Sequence, residues 1–267
     1  MRVLELERKP LHRLSYTNAA KRGGVETASL EILQATVDVL PQGVQGLLAT
    51  GDLQGVVAPF EYGGENCLLG EHLPEVLSEL SSDGRFPNTA SVGAVLAGDL
   101  YSAPAGDERG ATGDVRSVWA AFASCFSWVA GVAGNHDLFG SERDRRRFTA
   151  QPNVHLLDGT AVLLGQTRVG GVGYIIGDPA KPGRRHREDY LAALELVLEH
   201  RPELLVLHSG PSGDRTQRGA AEIRQVLVEA PPLLVICGHT AWDDPLHELA
   251  NGSQILNVHA RAVLLRK

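Results

Sequence analysis

The chain has 267 residues, with 25 Lys and Arg against 32 Asp and Glu, giving a formal net charge of −7. Hydrophobic residues make up 43% and charged residues 21%, the balance of a folded chain and not of a disordered one, over a length that suits one large domain or two small ones. The acidic surplus argues against general nucleic-acid binding, because holding a phosphate backbone needs clustered Lys and Arg.

Cys67, Cys125 and Cys237 are odd in number and widely spaced, with no C-x-x-C pair. Cys125 and Cys237 therefore read as small buried hydrophobes. The first ten residues mix acids and bases where a signal peptide needs an apolar core, and no apolar run reaches membrane-spanning length. A cytoplasmic protein with no membrane partner is expected.

At the start of the chain, Leu4 and Leu6 alternate with Glu5 and Glu7, which predicts an edge strand. Lys9 to Gly24 reads as a cover over a site or a contact with another subunit. No composition break divides the chain, so residues 1–267 read as a single domain with residues 1–43 as an N-terminal extension. Leu30, Leu33, Val37 and Leu40 fall on one helical face, as do Leu73, Val76, Leu77 and Leu80. The same period returns at Leu191, Leu194, Val197 and Leu198, and at Ile223, Val226 and Leu227. Helices alternating with extended runs predict an α/β domain.

Five apolar runs, Leu47 to Ala49, Val92 to Ala97, Trp128 to Ala133, Leu204 to Leu207 and Leu233 to Cys237, lack polar alternation and predict buried strands. Each is followed almost at once by a potential ligand: Asp52, Asp99, Asn135, His208 and His239. Loops at the carboxyl ends of such strands are where α/β sheets gather ligands, so the five polar groups are expected along one rim. Val154 to Tyr174, broken at Asp158-Gly159 and Gly170-Gly171, predicts hairpins of a second sheet. The closing stretch, with Leu246 to Leu249, the turn Asn251-Gly252, Ile255 to Val258 and Ala260 to Leu265, is expected in that sheet too. Pro104 to Asp114 reads as an exposed loop hanging over the rim.

Asp, Asn, His and Gln form an oxygen and nitrogen ligand set without thiolate, which suits Mn, Fe or Zn and points to hydrolysis. Two such ions a few ångström apart, bridged by a shared carboxylate, activate water and clamp phosphoryl oxygens. The motifs Gly51-Asp52-Leu53-Gln54-Gly55, Gly98-Asp99, Gly134-Asn135-His136-Asp137, His208-Ser209-Gly210-Pro211 and Gly238-His239-Thr240 resemble, in order and environment, the calcineurin-like metallophosphoesterase signature. That resemblance implies two mixed β-sheets packed as a sandwich flanked by helices, four layers in all, with a dinuclear site on the rim. It implies that Asp99 bridges two divalent metal ions, that Asp52 binds the first, and that Asn135, His208 and His239 complete the second. His136 would face the substrate, with Asp137 orienting it through a hydrogen bond.

Two departures from the family pattern fall on the same ion. Gln54 stands where the first motif has histidine, and Ala241 stands where the last motif has its second histidine. The first position keeps Asp52, Asp99 and the weaker donor Gln54, and is expected to be looser and to favour Mn or Mg. His259 reads first as a histidine of a sheet edge or hydrogen-bond network, and second as a residue able to swing toward the place left at Ala241. Arg143, Arg145, Arg146 and Arg147, like Lys181, Arg184, Arg185 and Arg187, read as solvated helical faces because acids are interleaved with them. Arg109 and Arg116, on or just past the loop after Asp99, are the candidates for meeting substrate.

The expected function is metal-dependent hydrolysis of a phosphoric ester carried by a small molecule, a nucleotide or a phosphoprotein. The alternative, motivated by Gln54 and Ala241, is a non-catalytic protein of the same fold that binds a phosphorylated ligand or a partner.

Overall fold

Strands without polar alternation have both faces covered, and the computed structural model, which describes residues 1–58, 66–214 and 216–267, shows what covers them. From edge to edge, the first sheet runs Val154–Leu156, Trp128–Gly131, Val92–Leu96, Gly46–Gly51, Arg261–Arg266, Val25–Val37, His12–Ala19, Val56–Val57 and Cys67–Leu68; Val3–Leu6 also pairs with Val25–Val37. The second runs Thr160–Leu164, Thr167–Val172, Leu204–Ser209, Leu234–Gly238, Gln254–Asn257 and Leu246–Glu248. Both are mixed. The first four strands of the first sheet are parallel, and Arg261–Arg266 enters antiparallel to Gly46–Gly51.

Alternate residues of these strands serve two different cores. Leu47, Ala49, Val95 and Ala130 meet Val169, Leu204, Val206, Leu234 and Ile236 between the sheets. Leu48, Ala94, Leu96 and Val129 face outward onto the helices Leu69–Ser82 and Arg116–Cys125. On the far side, Leu205, Leu207, Val235 and Ile255 pack on Arg187–Glu199 and Ala221–Glu229. The result is the expected four-layer sandwich, and three of the four predicted helical faces lie on helices.

The fourth does not. Val25–Val37 is a long strand. Leu30 and Ile32 pack toward the helical layer, whereas Leu33, Ala35 and Val37 pack between the sheets. Burial that changes face partway along a strand mimics a helical period, and Thr27, Ile32, Thr36 and Val37 are β-branched residues that suit the extended form. Residues 3–37 therefore contribute three strands to the first sheet.

Two further expectations are corrected. Val154–Leu156 extends the first sheet, and the hairpin is formed only by Thr160–Leu164 with Thr167–Val172. Gly170 and Gly171 lie inside a strand and make no turn there; a Cβ on either would collide with Val197 or Val132. At the end of the chain, Leu246–Glu248 and Gln254–Asn257 join the second sheet, but Arg261–Arg266 crosses to the centre of the first. Lys181 to Arg185 is not helical either. Arg184–Arg185 pairs with Ile175–Ile176, Arg185 forms an ion pair with Asp158, and its guanidinium lies 5.1 Å above the Tyr174 ring. Arg143 to Arg147 do lie on a helix, Glu142–Thr149. No described helix is long and apolar enough to cross a membrane.

Trp119 anchors the outer layer of the first sheet, fully buried and edge-on to Phe139 at 6.1 Å and to Phe148 at 5.6 Å. Its indole N–H has no hydrogen-bond partner among the described residues. Trp119→Ala is expected to lower the unfolding free energy by about 3–5 kcal/mol. Trp119→Phe, which sacrifices no hydrogen bond, should cost clearly less, as read by urea denaturation of both variants.

Candidate metal centre

Five strand ends converge on one rim. Asp52 follows Gly46–Gly51, Asp99 follows Val92–Leu96, Asn135 follows Trp128–Gly131, His208 closes Leu204–Ser209 and His239 follows Leu234–Gly238. Asp52, Asp99 and His239 have φ of 52°, 55° and 66°, half of the six non-glycine residues with positive φ among the described residues. Such conformations cost about 1–3 kcal/mol each and persist where the surroundings impose them. Here they sit where the chain reverses over the strand ends. Gly98, at φ 85°, and Gly134 make the same turns passable, since a Cβ on Gly134 would collide with the Asp99 carboxylate.

The side chains meet within bonding reach. Candidate donor atoms of Asp99, His208 and His239 all lie within 4.8 Å of one another. The His208 Nε2 is 3.1 Å from Asn135 Oδ1 and 3.4 Å from Asp99 Oδ2. Its Nδ1 lies 2.8 Å from the Ala97 carbonyl, which fixes the ring and leaves Nε2 toward the cluster. The His208 and His239 ring centroids are 5.1 Å apart. Asp99 Oδ1 accepts the His136 backbone N–H at 2.9 Å. Asp52 Oδ2 accepts the His239 backbone N–H at 2.8 Å, and Asp52 Oδ1 lies 3.0 Å from His259 Nδ1. Gln54 Nε2 is 3.4 Å from Asp99 Oδ2.

The electrostatics call for positive charge. Asp52 and Asp99 are both buried, and among the described residues no Lys or Arg pairs with either. Burial alone would raise Asp99, but the charge and hydrogen bond of His208, helped by His136, carry it well below the usual carboxylate range. Burial opposes charge on His208, yet Asp99, with Asp52 behind it, drives it upward. Burial and the charge of His208 lower His239, whereas His259 is raised because Asp52 outweighs its burial. A divalent ion would take over from His208 as the counter-charge and release its proton.

Asp99, Asn135, His208 and His239 thus fit a metal ion: two oxygens and two imidazoles, with one ring already oriented by a backbone carbonyl. The neighbouring position has Asp52, a shared Asp99 and Gln54, whose amide would turn its oxygen inward to serve. The buried His259 Nδ1 also lies here, paired with Asp52 but making no well-formed hydrogen bond among the described residues.

The remaining site residues are placed as follows. His136 is half-buried beside the cluster, with its Nδ1 3.2 Å from Thr112 Oγ1. The expected hydrogen bond from Asp137 to this ring is absent. The Asp137 carboxylate instead accepts the backbone N–H groups of Asp99, Gly134 and Leu100, each at 2.8 Å. Burial and the Asp99 charge push it up to about 7, against the pull of those N–H groups. Thr112 was invisible to motif reasoning, because a threonine in a glycine-rich loop carries no signal of its own. Arg109 lines a cleft of about 220 Å³ together with Asn18, Lys21, Gln54, Tyr101 and His259. Arg116 is not among the residues lining it; its guanidinium is held by Asp114 at 2.6 Å and Asp144 at 3.6 Å. The tip of the hairpin formed by His12–Ala19 and Val25–Val37 flanks this cleft, so the segment read as a cover stands at the edge of the site.

The calcineurin-like phosphoesterase family model matches residues 46–243. Among solved structures, the crystal structure of TT1561 of Thermus thermophilus is similar at a TM-score of 0.53 and 20% identity, over 80% of this chain and 88% of that one. No curated protein matches. The TT1561 likeness concerns the fold; the family match spans the motifs from Asp52 to His239, and the chain belongs to the calcineurin-like phosphoesterase family.

Proposed function

We propose that the protein is a metal-dependent phosphoric ester hydrolase with two divalent ions, of Mn, Fe or Zn type and with Mg acceptable at the first position, acting in the cytoplasm. The observation that carries this reading is the set of buried Asp99, Asn135 and His208 with half-buried His239, to which His136 is attached through the Asp99 carboxylate. Bound there, the ions would supply Lewis-acid polarisation of the phosphoryl group and a water acidified toward neutrality.

The chain's own residues supply the rest. Asp99 serves two purposes, since one oxygen faces the ligand cluster and the other holds the His136 backbone. His136 Nδ1 is engaged by Thr112, and its Nε2 has no hydrogen-bond partner among the described residues. That nitrogen is available to donate a proton to the departing oxygen or a hydrogen bond to the phosphoryl group. Asp137 acts one step back, gathering three backbone N–H groups so that the Asp99 and Gly134 turns keep their shape. Arg109 and Lys21, set among Glu26 and Glu108, offer the adjacent cleft two cationic groups for a phosphorylated substrate, whose identity the loops decide.

Chromogenic phosphomonoester and phosphodiester substrates, offered with Mn²⁺, Fe²⁺, Zn²⁺ or Mg²⁺ in turn, test the proposal. Turnover of one ester that chelation abolishes and metal restores is expected; no cleavage of either ester with any ion overturns it. Metal analysis separates the rival reading, since one ion or none per chain without turnover would favour a phospho-ligand-binding protein, in keeping with Gln54 and Ala241. His136→Ala should lower kcat by about 10²- to 10⁴-fold with metal content unchanged. Asp137→Ala, by releasing three N–H groups, should instead lose metal content and turnover together, measured by elemental analysis beside the same assay.

A further inference from the structure

The first metal position is short of donors in the motifs, and the crossover between the sheets brings it one from elsewhere. Gln54 replaces an imidazole, and Ala241 has no donor and is exposed. Between Gln254–Asn257 in the second sheet and Arg261–Arg266 in the first, the chain passes over the end of Gly46–Gly51, and His259 bridges to Gly51. Ala260, at φ 49°, belongs to the same forced turn. His259 is thereby set against the residue just before Asp52.

We propose that His259 Nδ1 is a metal ligand, completing with Asp52, Asp99 and Gln54 a first divalent-cation position that the usual motif residues leave short. Three observations carry this. His259 Nδ1 and Asp52 Oδ1 form an ion pair at 3.0 Å, and the buried nitrogen makes no well-formed hydrogen bond with any described residue. Two donors bound to one ion at about 2.1 Å and at right angles to each other stand about 3.0 Å apart. Gln54 and His259 also line the same polar cleft, so the two residues that replace the missing imidazoles meet at one place. Asp52, buried and with no Lys or Arg paired to it among the described residues, supplies the charge that a cation needs.

This inference rests on the hydrolase reading but is tested apart from activity. Purified full-length protein, His259→Ala and His259→Gln are loaded with Zn²⁺ and with Mn²⁺, and bound ions are counted by elemental analysis and calorimetric titration. Two ions are expected in the unsubstituted protein and one in each variant, with affinity for the second ion weakened at least about 100-fold. A direct reading comes from ¹⁵N imidazole resonances of the unsubstituted protein, in which His259 Nδ1 should move to the metal-bound range as Zn²⁺ is added; this holds even if the variants fold poorly. Variants that keep both ions at unchanged affinity, or a His259 Nδ1 resonance that ignores Zn²⁺, overturn the assignment of His259 and leave the hydrolase reading intact. A protein that binds one ion only also overturns it, and a protein that binds none overturns both.

Discussion

Two carboxylates, Asp52 and Asp99, are buried at the ends of adjacent parallel strands, and among the described residues no Lys or Arg pairs with either. That concentration of negative charge, met only by histidines, is the constraint around which the rim is arranged. A buried carboxylate demands hydrogen bonds and a counter-charge, and each demand is answered by a residue the chain had to bring from another strand. His208 and His239 come from the second sheet, His136 from the neighbouring loop and His259 from the crossover. The strained φ angles at Asp52, Asp99 and His239 show that backbone comfort yields to this arrangement.

The sandwich makes such strain tolerable. The strands leading to the rim are covered on both faces, so their ends are fixed by two cores at once. Positional precision for ligands then comes from packing well away from them, through residues such as Leu48, Val95 and Leu205 that carry no chemistry. Asp137 extends that rigidity into the loops. A motif residue that reads as a partner of the imidazole is in fact the post to which three backbone amides are tied. Thr112, from a loop with no motif of its own, takes the place beside the ring.

What could be read from sequence was whatever local pattern determines. Apolar runs ending in Asp, Asn or His identified five strands and the groups that converge, because burial on both faces leaves a run without alternation. Features set by partners distant in the chain were hidden. Val25–Val37 changes the face it buries, which disguises a strand as a helix. The sheet assignment of Arg261–Arg266 depends on strands more than two-thirds of the chain away, and nothing in its own residues distinguishes the first sheet from the second. Since the position of His259 follows from that crossover, the sequence left its role open between a sheet-edge histidine and a ligand. Likewise, Arg116 carries the charge expected of a substrate contact, but its guanidinium is held by Asp114, two residues before it, and by Asp144, which only the fold brings near.

The place of Arg261–Arg266 has a kinetic side. This strand is the seam between the parallel half of the first sheet and its N-terminal hairpin, yet it follows every other strand of that sheet in chain order. The seam cannot close until synthesis has passed it, and contacts between such distant segments form slowly. Asp52 waits for His259 throughout that interval. The pairing of Asp52 with His259 is therefore a late event in maturation, made only once the last strand of the sheet has come home.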